Sequence, residues 1–162
     1  MGRPRGFRED EVLDAAADAF VRGGYEGTSI DDLVTALRLH RGSLYQAFGS
    51  KRGLFLAVLR RHIDTHLVGT PDPARATHRP ELDLLLIAAV ERGHCDAEVA
   101  ALVRRGLDVL ERAIPAPVAR PSADGPRHPR HAVQLLGERL YERLLVDPDR
   151  PVTPSELTPE RT

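Results

Sequence analysis

Residues 28–51 read TSIDDLVTALRLHRGSLYQAFGSK, and their punctuation decides the fold. Thr28 and Ser29 are both good helix N-caps, each followed three positions later by an acid, Asp31 and Asp32, which is the spacing of a capping box. Ile30, Leu33, Val34 and Leu37 then form one apolar stripe, so a helix is predicted over about 29–37. After a short connection, Arg38 to Arg41, a second piece with Leu44 and Phe48 directed inward is closed by Gly49, giving a helix of only about 42–48. Upstream, Val12, Leu13, Ala16, Phe20 and Val21 recur at helical spacing until Gly23 and Gly24, a helix over about 8–22. Downstream, Ser50 caps a longer helix with Leu54, Phe55, Val58, Leu59 and Ile63 on its buried side, running to about Leu67.

A capped helix, a turn of about four residues and a short second helix, packed on a preceding helix, form a helix-turn-helix. The polar content of the short helix sharpens this reading. His40, Arg41, Ser43 and Gln46 face away from Leu44 and Phe48 and can reach base edges. Around them stand donors suited to phosphate: Thr28 at one helix start, Tyr45, and Lys51 at the next helix start, where free backbone amides also favour an anion. The basic arm with Arg3 and Arg5 could enter a minor groove, or could be solvated charge at a chain terminus. Arg60 and Arg61 read as solvating charges rather than a further basic patch.

At these residues the chain resembles the TetR family of bacterial transcriptional regulators, in the stretch from Val12 to Val58. The run Gly24-Tyr25-Glu26-Gly27-Thr28-Ser29-Ile30 is similar to the family's lead into helix two, and Arg41 to Lys51 is similar to its recognition helix and the start of helix four. Carried over position by position, the resemblance implies that Tyr45, Lys51 and Thr28 bind phosphate and that Arg41, Ser43 and Gln46 face the major groove. It also implies an operator-binding repressor, a homodimer and a small-molecule effector. Two departures stand out. Arg38 occupies a turn position that is usually glycine in the family, and an arginine in the left-handed conformation would cost about 1 kcal/mol. Only three further helices are expected, near 82–92, 96–114 and 130–146, fewer than the family usually has.

Composition agrees with an all-α architecture. The 162 residues are 41% hydrophobic but only 4% aromatic, so the core must be built mainly from Leu, Val, Ile and Ala. Prolines cluster at 71–80, 115–129 and 148–159 and leave the intervening segments free for helices. The expected organisation is a helix-turn-helix domain over 1–50, a connecting helix over 51–68 and a small helical regulatory and dimerisation layer over 69–146. That layer carries a Pro-rich loop at 115–129, and a disordered tail follows at 147–162. A net charge of −1 means that affinity for nucleic acid must come from local clusters. Of the 23 basic residues all but Lys51 are arginine, a bias that runs into the tails and reads as composition rather than function. The lone Cys95 and the lack of a leader pattern point to a reducing cytoplasmic setting. The longest apolar run, Leu84 to Val90, falls far below the roughly 18 residues of a membrane span.

The remaining polar clusters carry little chemistry. His62 and His66 have the i, i+4 spacing of shared metal ligands but lack a third ligand in sequence, so no metal and no cofactor is expected. They can instead line an apolar effector site with Leu59 and Ile63, against the helix over 82–90. Glu91, His94, Cys95 and Asp96 form a polar knot best read as a turn between helices. No Ser-His-Asp grouping, Gly-rich phosphate loop or cysteine pair occurs, so the chain is not read as an enzyme. A stripe of Val133, Leu136, Leu140 and Leu144, widened by Leu135, Tyr141 and Leu145, is the expected dimer surface. The alternative to a double-stranded DNA partner is a helical protein-interaction module without specific DNA binding.

Overall fold

The computed structural model describes residues 8–67, 81–113 and 130–145. Arg3, Arg5, the Pro-rich loop over 115–129 and the tail over 147–162 lie outside them. Among the described residues every regular element is helical: α1 (Glu9–Gly23), α2 (Ile30–Leu37), α3 (Arg41–Phe48), α4 (Lys51–His62), α5 (Glu81–Ile87), α6 (Ala97–Ala113) and α7 (Arg130–Leu145). α4 and α5 each run on into a π-helical turn, Ile63–Leu67 and Ala88–Arg92.

The caps explain the N-terminal boundaries. Ser29 Oγ accepts the Asp32 N–H at 3.1 Å while the Ser29 N–H donates to Asp32 Oδ2 at 2.9 Å, a complete capping box. These bonds from Ser29 hold the Asp32 carboxyl below the usual carboxylate range. Ser50 Oγ accepts the Gly53 N–H at 2.9 Å and starts α4. Arg38 does adopt the left-handed conformation, with φ 52° and ψ 37°. The strain is offset by a full Schellman closure: the Arg38 N–H donates to the Thr35 carbonyl and the Leu39 N–H to the Val34 carbonyl, so the carbonyls at the end of α2 are satisfied.

One apolar core runs through both halves. Phe20 of α1, Tyr25 of the α1–α2 loop and Phe55 of α4 form an aromatic cluster with ring centroids 4.8–6.0 Å apart. Leu33, Leu44, Leu54 and Leu59 are fully buried around it. The core continues through Ile63 into Leu82, Leu84, Leu85, Val99 and Leu110. At Gly106 a Cβ would meet Leu85 Cδ1 at 2.8 Å, so glycine lets α6 approach α5 closely.

Ion pairs tie the helices together. Arg61 reaches Asp10 and Asp14 of α1 at 3.0 and 3.1 Å, and Arg60 pairs with Glu98 of α6. Asp83 of α5 is buried and receives a two-pronged bond from Arg139 of α7 at 2.7 and 2.8 Å. Arg143 lies 3.4 Å from the same carboxylate and also donates to the Val21 carbonyl at the end of α1. α7 therefore turns Ala132, Leu136 and Arg139 inward, while Val133, Leu140 and Tyr141 face outward. The stripe read from sequence straddles the edge of the buried face: at 100° per residue Leu136 lies close to positions 132 and 139, whereas 140, 133 and 141 fall progressively farther round toward solvent. The side chains of Leu144 and Leu145 lie outside the described residues.

Candidate nucleic-acid interface

α3 is held by Leu44, which is fully buried, and by the partly buried Phe48. The rest of its surface is open. His40, Arg41, Tyr45 and Gln46 are exposed and Ser43 is half-buried, so the five side chains expected to face DNA stand on one short helix and its N-cap. His40 makes no side-chain cap, and the backbone N–H groups opening α3 are left for other acceptors. Arg41 is engaged in an ion pair with Asp31 in the first turn of α2, both side chains being exposed. The starts of α2 and α3 thus meet on one face.

The donors at the edges of this face are placed differently from one another. Tyr45, 42% exposed, projects from α3 and is available to a phosphate. Lys51 is tied back: Nζ donates to the Tyr25 carbonyl at 2.9 Å and the Thr28 carbonyl at 3.0 Å, and sits 4.5 Å from the centre of the Tyr25 ring. Two of its three protons are used, and among the described residues none accepts the third. Thr28 turns inward. Its side chain is buried and Oγ1 donates to the Gly24 carbonyl at 2.6 Å, so its one proton closes the α1–α2 loop instead of being offered to a phosphate. A hydroxyl at a helix start can serve as cap, phosphate ligand or loop lock, and burial beside Gly24 selects the last.

The residues expected to line an effector site differ in exposure. Leu59 and Ile63 are fully buried in the core, and His62 is half-buried. The side chain of His66 lies outside the described residues. Among the described residues no cluster of His, Cys, Asp or Glu could hold a metal ion.

Sequence reasoning passed over the role of the polar knot at 91–96. Asp96 is buried, takes Arg52 Nε and Nη2 at 2.6 and 2.9 Å, and caps α6 through the N–H groups of Glu98 and Val99. Arg52 first, and then those amides, hold its carboxyl well below the usual carboxylate range. Glu91 and Arg92 reach the α1–α2 loop. The only local signal was the density of charge in a helix connection, which names no partner 44 or 65 residues away.

The sequence model of the bacterial regulatory proteins, tetR family, matches residues 12–58. The chain is 49% identical over 63 residues to the HTH-type transcriptional repressor ComR of Escherichia coli, covering 39% of this chain and 30% of that protein. It is 38% identical over 74 residues to the HTH-type transcriptional activator FasR of Mycolicibacterium smegmatis, covering 46% and 34%. It is 36% identical over 74 residues to the E. coli repressor BdcR, covering 46% and 38%. The matches thus span about a third of the length of these curated relatives. Among solved structures, the TetR family transcriptional regulator PfmR of Thermus thermophilus shares the fold, with a TM-score of 0.51, 20% identity and 89% coverage of each chain. Residues 12–58 are thus similar to the tetR family of bacterial regulatory proteins, and the fold is the one seen in PfmR.

Proposed function

We propose that the chain is a sequence-specific DNA-binding transcriptional regulator that seats α3 in the major groove of an operator. The observation that carries this reading is the arrangement of α3: Leu44 alone is fully buried, while Arg41, Tyr45 and Gln46 are exposed along the helix and its first turn. Arg41 and Gln46 read base edges, with His40 and Ser43 beside them, while Tyr45 and the free proton of Lys51 hold phosphates. Thr28 contributes by locking the loop, and Arg3 and Arg5 supply minor-groove contacts. No catalytic step belongs to this reading. Repression is the mode proposed, as named for ComR and BdcR.

A two-turn helix reads few base pairs, and two-fold pairing is the common way to lengthen a site. The outward face of α7, with Val133 54%, Leu140 40% and Tyr141 64% exposed, supports a homodimer. An apolar effector would act between the far end of α4, at Leu59, His62, Ile63 and His66, and α5. Because Leu59 and Ile63 are fully packed, such a ligand must open that contact to bind. The cytoplasm is the compartment this activity requires, and no helix among the described residues is long and apolar enough to cross a membrane.

In vitro selection from random duplex DNA tests the proposal. A two-fold symmetric consensus is expected. Arg41→Ala should relax the preference at particular base pairs by about 1–3 kcal/mol, while Lys51→Met weakens all sequences alike. Recovery of no sequence preference would favour the protein-interaction alternative.

A further inference from the structure

The α1–α2 loop, from which Lys51 takes its position, is also gripped by the π-helical end of α5. Glu91 Oε2 accepts the Glu26 N–H at 2.8 Å. Arg92 Nη1 stands 3.1 Å from Glu26 Oε1, and its guanidinium lies 4.9 Å from the centre of the Tyr25 ring. Gly24 has φ 72°, and a Cβ there would fall 2.5 Å from Glu91 Oε1, so the loop backbone is pressed against this carboxylate. In an α-helix consecutive side chains diverge by about 100°, and the wider π turn over Ala88–Arg92 reduces that divergence. Two neighbouring residues of opposite charge can thereby hold one short loop.

We propose that Glu91 and Arg92 are positioning residues for DNA binding: they fix the Gly24–Glu26 loop, whose Tyr25 carbonyl and ring in turn fix the Lys51 ammonium. The proposal rests on the DNA-binding reading above and extends it to a turn that touches no DNA. The Lys51 ammonium is tethered to two carbonyls, so moving the Tyr25 carbonyl re-aims the remaining proton. A displacement of α5 would therefore be felt at a phosphate contact directly, without passing along α4.

The sign of one substitution separates positioning from charge. Glu91 is an acid on the side of the molecule that carries Lys51, so if only its field mattered, removing it would tighten binding to a polyanion. Positioning predicts the reverse. The experiment measures fluorescence anisotropy on the selected operator over a series of salt concentrations, with thermal melts of each protein. The proteins are the wild type, Glu91→Ala, Glu91→Gln and Lys51→Met, and both Glu91 variants in the Lys51→Met background. Glu91→Ala should bind about tenfold more weakly with a salt slope about one unit shallower. Glu91→Gln keeps an oxygen for the Glu26 N–H and should stay close to the wild type. In the Lys51→Met background Glu91→Ala should have almost no further effect. If Glu91→Ala fails to fold, Glu91→Asp, which shortens the reach by one methylene, should give the same background-dependent loss. Binding by Glu91→Ala, or by Glu91→Asp in its place, that is unchanged, tighter, or weakened equally in both backgrounds overturns the proposal. A wild type that retains no DNA specifically defeats the DNA-binding reading itself, and is seen before any variant is compared.

Discussion

Arg139→Met removes the main partner of a carboxylate that cannot return to water. Asp83 and Arg139 side chains are 6% and 13% exposed, and two bonds of 2.7 and 2.8 Å join them. Breaking a buried pair from one side costs about 3–5 kcal/mol, because the remaining charge is left desolvated. Arg143, at 3.4 Å from Asp83, can take over part of the compensation, which puts the expected loss near the lower end, about 3 kcal/mol. For a chain of this size each kcal/mol lowers Tm by about 3 °C, so a decrease of about 9 °C is expected. Methionine keeps most of the apolar stem and confines the change to the guanidinium. The assay is circular dichroism melting at pH 7 and one fixed protein concentration, since any self-association would make Tm depend on concentration. The double variant Asp83→Leu/Arg139→Leu should recover much of the loss, because neither side then buries an unpaired charge. A decrease below about 2 °C for Arg139→Met would show that α7 is not anchored through this pair.

Three further outcomes follow from the same structure. Asp31→Asn frees Arg41 and removes a negative charge from the proposed DNA face, so binding to random-sequence duplex should tighten about two- to threefold; unchanged binding would place that face away from DNA. The depressed Asp96 carboxyl contributes stability that is whole above the unfolded value of about 3.9 and is lost as pH falls toward its lower native value. Urea unfolding between about pH 2 and 6 should accordingly show a steeper acid decline for the wild type than for Asp96→Asn, and equal slopes would contradict the Arg52 pairing. Tyr141→Asp places a charge on the outward face of α7 and should shift sedimentation toward the monomer; a dimer unaffected by it uses another surface.

The local determinants of this chain were legible because each acts within one turn of helix. The Ser29 and Asp32 box, the Ser50 cap and the apolar spacing of α1 to α4 placed the helix-turn-helix within a residue or two, and the same spacing located α5, α6 and α7. The exposed face of α3 was readable in part: burying Leu44 and Phe48 leaves Gln46 on the opposite side and Tyr45 at the flank by geometry, while Arg41, three residues before Leu44, is exposed because it opens the helix. Arg38 marked the limit of this reasoning: its residue type argued against a left-handed turn. The turn forms there because two backbone hydrogen bonds at the end of α2 outweigh a strain of about 1 kcal/mol.

Tertiary packing decided what the polar residues do. Sequence offered Thr28 and Lys51 as equivalent phosphate donors, yet the loop at Gly24 takes the only proton of one and two carbonyls take two protons of the other. Arg60 and Arg61 read as free surface charge, but their acids stand 38, 47 and 51 positions away. Glu91, Arg92 and Asp96 looked like the debris of a turn until α5 and α6 brought them against Glu26, Tyr25 and Arg52. Helix periodicity is set by neighbours three and four residues apart and so is written in the sequence. The partner of a charged side chain is set by which helices the apolar core packs together, and only the folded chain contains that information.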